Sequence, residues 1–219
     1  MKSYLMVVVA AALALSGCVS TSKYEKLEAD KNQEIASLQK EKADLQKQKT
    51  ELQTSSEQRQ AQYDALVKKL STEVQQGQLQ VRQYKNMLSV DVAEQIFFES
   101  GQAALKVSGK EVLKKVGEAL KSYENKIIRV VGHTDNVPIA KSMQNVFPSN
   151  WELSAARATN VVRYLQEVGV SPERMVASGR GEYQPLAPND SPEGRQKNRR
   201  IEIMLIDQSL AEELSKPKS

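Results

Sequence analysis

The sequence predicts an α+β domain of β-α-β-α-β-β order preceded by a long helix, and three observations support this prediction. Residues 23–88 contain no proline and one glycine and are rich in Glu, Lys, Gln, Leu and Ala, as a long helix would be. All seven prolines lie at or after Pro138 and eight of the ten glycines at or after Gly101, so a compact domain begins near residue 90. There, apolar runs suited to strands alternate with amphipathic helical patterns, which favours a sandwich of a mixed sheet with helices on one face.

The first 17 residues predict an export signal that ends at a lipid-attachment site. Lys2 supplies a positive charge, and residues 5–15 form an apolar core of 11 residues. That core is too short to span a bilayer, because a spanning helix takes about 20 residues. Leu15-Ser16-Gly17-Cys18 resembles the bacterial lipobox, which implies a diacylglycerol on Cys18, the single cysteine of the chain. The alternative is an ordinary signal peptide that contains a cysteine by chance.

If the lipobox resemblance holds, residues 18–22 are a lipidated N-terminus that attaches the chain to a membrane without spanning it. Val19 stands where Asp would retain a lipoprotein in the inner membrane of enteric-type bacteria. The resemblance therefore implies the outer membrane, with the chain facing the periplasm.

Residues 23–88 are predicted to form a helical spacer on the order of 100 Å long. Leucines recur at seven-residue spacing, with one interruption at Arg59: Leu38, Leu45, Leu52 and Leu66. Half of the companion positions are polar, Lys42 and Lys49 among them, so the first part is a weak coiled coil. A second apolar series follows in a different phase: Tyr63, Leu66, Val67, Leu70, Val74, Val81, Tyr84 and Leu88. A homo-oligomer formed through this helix and a solvated single helix both remain open.

The compact domain, residues 90–207, is predicted to contain four strands and two helices. The strands are residues 92–98, 126–132, 174–178 and 199–206, and the helices are residues 109–123 and 150–168. Ser149 and Glu152 form a capping box that starts the second helix, and Gly169 ends it. Residues 179–197, with three prolines, are predicted as a loop, and residues 208–219 as a polar tail.

Two opposite charges lie beside the second strand and the second helix. Asp135 follows the carboxyl end of that strand, where ligands bind in α/β sheets. Arg157 falls in the apolar half of the helix, where an unpaired charge is costly. Either the two side chains form an internal ion pair that fixes strand to helix, or both line a shallow pocket. The pocket would be completed by a ligand that carries both an ammonium and a carboxylate.

Several other functions are not supported by the residues present. The net charge of +4 arises from 31 basic and 27 acidic residues, a balance that does not indicate a nucleic-acid partner. His133 is the single histidine and has no cysteine cluster near it, which favours a structural role over metal binding. The sequence therefore predicts no cofactor, no metal site and no enzyme. Trp151 is predicted to pack against the domain.

Four motifs in residues 92–206 resemble the OmpA-like peptidoglycan-binding domain. They are Val131-Gly-His-Thr-Asp135, Asn150-Trp-Glu-Leu-Ser-Ala-Ala-Arg157-Ala158, Ser178-Gly-Arg-Gly-Glu-Tyr183 and Gly194-Arg-Gln-Lys-Asn-Arg-Arg200. The resemblance implies non-covalent binding of the cell-wall stem peptide through its meso-diaminopimelate. Asp135 would receive the ammonium and Arg157 the carboxylate, with Asn150 and Arg199 as secondary contacts.

The sequence departs from the family pattern in two places. The loop at residues 137–147 is longer than in many outer-membrane members and resembles the MotB-like branch. Glu99 stands where many members have Asp. These departures leave pocket access and any contact from this acid open.

The resulting prediction is an outer-membrane lipoprotein that tethers its membrane to peptidoglycan. One alternative is a coiled-coil scaffold that recruits a partner through residues 23–88 and uses wall binding only for positioning. The other is a MotB-like stator component, which requires a spanning helix that residues 5–15 do not provide.

Overall fold

The computed structural model describes residues 21–84 and 87–208. The predicted signal segment, Cys18 and the tail from residue 209 lie outside the described residues. The chain divides into two compact units, Met1–Glu57 and Gln58–Ser219. None of the helices within the described ranges combines the length and apolar content needed to cross a membrane.

The first helix, α1, spans Thr21–Lys69 and confirms the long N-terminal helix. In the first unit, its side chains from residue 21 to residue 54 are all exposed, including Leu38, Leu45 and Leu52. In the second unit, Leu66 and Leu70 are fully buried in the core. The second apolar series therefore begins as part of the domain core and is not the seam of a coiled coil.

The predicted helical spacer was wrong beyond Lys69. A short helix, α2 (Ser71–Gln75), is followed by Gly77 at φ +67°, and then by the strand β1 (Leu79–Tyr84). Leu79 and Val81 are buried while the residues after each of them are exposed, which is the period of a strand. The seven-residue spacing of valines in this stretch is compatible with either period, so it did not identify a helix. The compact unit consequently begins at Gln58, earlier than the residue 90 expected from composition.

The predicted first strand, residues 92–98, was also wrong in its position. The strand β2 covers Met87–Ala93, and Glu94–Phe97 forms a single helical turn, α3. Phe97 and Phe98 are both buried, which the alternating faces of a strand would not allow in a half-exposed sheet. The turn is closed by the Phe98 amide, which donates to the carbonyl oxygen of Glu94 at 2.9 Å.

The remaining predicted strands and helices are confirmed within two residues at each end. They are the helix α4 (Val107–Lys121), the strand β3 (Lys126–His133), the helix α5 (Asn150–Glu167), the strand β4 (Met175–Gly179) and the strand β5 (Arg200–Asp207). Two short 3-10 turns, Lys141–Met143 and Pro172–Arg174, were not predicted. The loop predicted at residues 179–197 contains a further helix, α6 (Pro192–Asn198).

The five described strands form one mixed sheet in the order β1-β2-β5-β3-β4. The pair β3 and β4 is parallel, and the other pairs are antiparallel. One row of opposed residues crosses four strands on the core side: Val81, Val90, Ile203 and Val130. Apolar residues of α4 and α5 complete the same core, which confirms an α+β sandwich with helices on one face of the sheet.

Candidate functional site

Asp135 lies in the loop that follows β3, and its carboxylate has two protein partners. Its Oδ1 accepts a hydrogen bond from the Val137 amide at 3.0 Å. Its Oδ2 lies 2.5 Å from Nη1 of Arg199, which stands just before β5. Asp135 is 6% exposed. The internal Asp135–Arg157 ion pair considered from the sequence is therefore wrong, because the partner of Asp135 is Arg199.

Arg157 lies on α5 and is 2% exposed. Its Nε donates to the carbonyl oxygen of Gln102 at 2.8 Å, and its Nη2 lies 2.8 Å from Oε1 of Glu94. The guanidinium carbon sits 5.1 Å from the centre of the Phe98 ring, within the range of a cation–π contact. Burial lowers the pKa of Arg157, while the neighbouring Glu94 raises it. Arg157 thus meets the carboxylate that its burial requires, but the acid comes from α3.

Glu94 is the site residue that the sequence did not reveal. It begins α3 and is 8% exposed, and burial raises the pKa of its carboxyl while Arg157 lowers it. Its Oε2 has no hydrogen-bond partner among the described residues. The strand predicted for residues 92–98 concealed this acid, since a helical turn is what directs it toward α5. An acid within an apolar stretch was the one signal available.

The two ion pairs line one cavity of about 610 Å3. This volume lies within the range usual for small-molecule sites. Its apolar wall comes largely from the long loop after Asp135: Val137, Pro138, Ile139, Ala140 and Met143. The cavity therefore combines two acids and two bases with an apolar side.

Asn150, at the start of α5, holds the loop that carries Asp135. Its Nδ2 lies 3.3 Å from the carbonyl oxygen of Asp135, 3.1 Å from that of Val137 and 2.7 Å from Oε2 of Glu182. The amide nitrogen is thus surrounded by acceptors of the protein itself. Asn150 lines the cavity, but its contacts make it a residue that positions Asp135.

The start of α5 is fixed by the capping box that the sequence predicts. The Ser149 Oγ accepts from the Trp151 amide at 3.1 Å, and the Glu152 carboxylate accepts from the Ser149 amide at 2.8 Å. Trp151 stacks on Tyr183 with 5.1 Å between ring centres, although 45% of it remains exposed. The cap places Arg157 two turns into the helix, facing the cavity.

Close contact with the sheet fixes the height of α5. A Cβ atom at Gly132 would lie 2.2 Å from the Ser154 carbonyl oxygen, and one at Gly179 would lie 2.7 Å from the Ala155 amide nitrogen. Glycines on β3 and β4 therefore allow the helix backbone to approach the strands directly. This contact sets the distance between Arg157 and the end of β3.

His133 is buried beside the sheet's charged residues and away from any metal cluster. Its Nε2 lies 3.5 Å from Oε2 of Glu202, and Glu202 also pairs with Arg200 at 2.6 Å. Burial raises the pKa of Glu202, but His133 and Arg200 together lower it to about 2. Within residues 21–84 and 87–208, no three His, Cys, Asp or Glu side chains are grouped so that they could hold a metal ion.

Comparisons with known proteins were made for the whole chain. Motility protein B of Bacillus subtilis is 36% identical over 136 residues, which cover 62% of this chain and 51% of that protein. The "Probable lipoprotein YiaD" of Escherichia coli K12 is 33% identical over 116 residues, covering 53% of this chain and 50% of that protein. The chain thus spans about half the length of these curated relatives.

Among solved structures, the cell wall anchor of the T6SS from Pseudomonas aeruginosa is 31% identical to this chain. The superposition has a TM-score of 0.60 and covers 65% of this chain and 97% of that one. The mixed sheet with helices on one face, and the charged cavity beside β3, are those of an OmpA-like domain. Residues 97–199 match the OmpA family, and the chain belongs to this family.

Proposed function

We propose that the cavity binds peptidoglycan non-covalently through the meso-diaminopimelate of the stem peptide, without catalysis. The observation that carries this proposal is the pairing of Glu94 with Arg157 and of Asp135 with Arg199 around one cavity. Membership of the OmpA family supports it, as does the similarity to a protein described as a cell wall anchor.

The charge of the cavity matches the free end of diaminopimelate. Two acids and two bases balance to zero, and the free end of this amino acid carries one ammonium and one carboxylate. A singly charged ligand would leave one partly buried charge without compensation, which is costly. A zwitterion leaves none, and its methylene chain can contact the apolar wall formed by Pro138, Ile139 and Met143.

The residues take distinct parts in this proposal. Asp135 receives the ammonium, and Arg157 grips the carboxylate with guanidinium donors other than those used by Gln102 and Glu94. Arg199 lies beside Asp135 with 36% of its side chain exposed, so it can reach the same carboxylate. Asn150 contributes by holding the loop.

We propose further that Cys18 carries the lipid and that the chain tethers the outer membrane to the wall from the periplasmic side. The lipobox-like sequence at residues 15–18 and the similarity to a protein named as a probable lipoprotein support this. Binding by one head is expected to be weak, because a charge-assisted hydrogen bond contributes about 1.5–3 kcal/mol. Attachment then comes from many anchored copies facing a repetitive polymer.

Calorimetry with defined stem peptides tests the wall-binding proposal. The parent ligand is a tetrapeptide with meso-diaminopimelate at its third position, and the comparison ligand has lysine there, which keeps the ammonium and lacks the carboxylate. The chain is expected to bind the first peptide about 10-fold or more tightly than the second, because one charge-assisted contact is lost. Equal affinity for both peptides, or no binding of either, contradicts the proposal.

A MotB-like stator component of the inner membrane is the second candidate, and the similarity to Motility protein B favours it. Palmitate labelling of the parent and of Cys18→Ala, followed by membrane fractionation, separates the two candidates. Label that depends on Cys18 and is recovered with the outer membrane supports the tether. An unlabelled chain recovered with the inner membrane supports the stator component.

A further inference from the structure

Glu94 carries an unpartnered oxygen inside the cavity. Its Oε1 is 2.8 Å from Nη2 of Arg157, but its Oε2 is buried and has no hydrogen-bond partner among the described residues. A buried acceptor without a partner costs about 1–3 kcal/mol, so an incoming donor at this oxygen is favoured. The chain supplies no such donor within the residues that the structure describes.

Asp135 differs from Glu94 in this respect. Both of its carboxylate oxygens have partners, since Oδ1 accepts from the Val137 amide and Oδ2 pairs with Arg199. A ligand ammonium that reached Asp135 alone would have to share oxygens that are already occupied. At Glu94 it would meet an oxygen that has no competing donor.

The backbone of Glu94 is fixed with respect to the other charges of the cavity. Its amide donates to the Arg199 carbonyl oxygen at 3.0 Å, and its carbonyl oxygen accepts from the Phe98 amide at 2.9 Å. Phe98 in turn lies under the guanidinium of Arg157. The position of the Glu94 carboxylate is therefore set by the elements that also carry both arginines.

We infer that Glu94 is a further ligand-binding residue, whose Oε2 accepts a hydrogen bond from the ammonium of diaminopimelate alongside Asp135. This inference rests on the proposed function, because it names a second acid for the same ligand. In this arrangement Glu94 bridges two cations, Arg157 on Oε1 and the ligand ammonium on Oε2. Asp135 likewise contacts Arg199 and the ammonium, so the zwitterion completes an alternating ring of charges.

A cycle of variants and ligands tests this contact. The parent chain, Glu94→Gln and the control Glu118→Gln are titrated with the meso-diaminopimelate tetrapeptide and with the same peptide acetylated only on the side-chain amino group of diaminopimelate. Glu118 is an exposed acid on α4 and does not line the cavity. The readout is the ratio of the two dissociation constants for each protein.

In the parent chain and in Glu118→Gln, acetylation is expected to weaken binding about 10-fold or more, and in Glu94→Gln this ratio is expected to fall at least about threefold. A Glu94 that only positions Arg157 would weaken both peptides equally and leave the ratio unchanged, and this result overturns the inference. Tight binding by the parent with no effect of acetylation also overturns it but leaves wall binding intact. Failure of the parent to bind either peptide removes the proposed function and the inference with it.

Glu94→Gln leaves Arg157 without its counter-ion, so the variant can lose its fold. Near-ultraviolet circular dichroism identifies that case. The second variant is then Glu94→Asp, which keeps the negative charge for Arg157 but draws the carboxylate back by one methylene. A reduced acetylation ratio in Glu94→Asp supports the contact, and an unchanged ratio overturns it.

Discussion

Glu94 and Arg157 form a nearly buried ion pair, with 2.8 Å between Oε1 and Nη2, that joins the single turn α3 to the helix α5. These residues are 63 positions apart in the sequence, and each is less than 10% exposed. The pair therefore has a structural task as well as a place in the cavity. Removal of either partner leaves the other charge buried and uncompensated.

Arg157→Ala is expected to destabilise the second unit by about 3–5 kcal/mol, since it breaks a buried pair and removes the guanidinium from the Phe98 ring. Urea unfolding followed by circular dichroism measures this loss. The double variant Arg157→Ala with Glu94→Gln is expected to be less destabilised than the sum of the single variants, because no ionised group remains unpaired. Strict additivity would contradict the pair. Arg157→Ala is thus a poor test of ligand binding.

Wall binding is expected to weaken on acidification at a pH above 4.5, the ordinary value for a glutamate. Burial raises the pKa of Glu94 even though Arg157 and Arg199 lower it, and Asp135 raises it further. Protonation removes the charge that attracts an ammonium, so affinity falls as pH drops through the raised pKa. The contribution to stability has the opposite sign, being present at low pH and lost as pH rises through the raised value.

Titration of the tetrapeptide by calorimetry between about pH 4 and pH 7.5 measures this dependence. The Glu94→Gln variant is expected to lack the step that lies above the ordinary glutamate value. An identical pH profile in the parent and the variant would show that Glu94 does not titrate with binding.

Gly132→Ala is expected to disrupt the contact between β3 and α5. The added Cβ would lie 2.2 Å from the Ser154 carbonyl oxygen, which belongs to the helix backbone and cannot rotate away. Overpacking of this kind costs about 1–3 kcal/mol, and here the shift of α5 should also move Arg157. Thermal unfolding and tetrapeptide binding are both expected to be impaired. An unchanged melting temperature would show that the helix can be displaced at no cost.

The exposed leucines of α1 are expected to drive self-association of the chain. Leu38, Leu45 and Leu52 repeat every seven residues and lie open to solvent in the first unit. Sedimentation of the full chain in detergent, at several concentrations, is expected to show a dimer that Leu45→Ser weakens. The control Lys40→Ser changes an exposed residue outside this repeat. A parent chain that sediments as a monomer throughout would show that the helix does not self-associate.

The four motifs and the strong caps made most of the second unit predictable. The capping box at Ser149, the β-branched run of β3 and the amphipathic pattern of α4 each act over a few neighbouring residues, so sequence alone reveals them. The strand β1 was not predictable in this way. Its valine fits a helical repeat as well as a strand repeat, and pairing with β2 decides between them.

The site was predictable by residue but not by partner. Asp135 and Arg157 do line one cavity, as the second of the two interpretations expected. Their counter-ions, Arg199 and Glu94, come from elements distant in sequence, and no local pattern links them. Only the tertiary structure shows that the charges form two pairs, and that one oxygen of Glu94 remains without a partner.

Co-sedimentation of Asp135→Asn with purified sacculi tests the central claim most directly. Asparagine keeps the oxygen that accepts from the Val137 amide but removes the charge, so the loop can persist while ammonium binding is lost. The exposed Asp190→Asn, which lies outside the cavity, is the matched control. We expect Asp135→Asn to bind sacculi about 10-fold or more weakly than the parent and the control. A folded Asp135→Asn that sediments with sacculi as well as the parent would contradict the assignment of this cavity to the wall peptide.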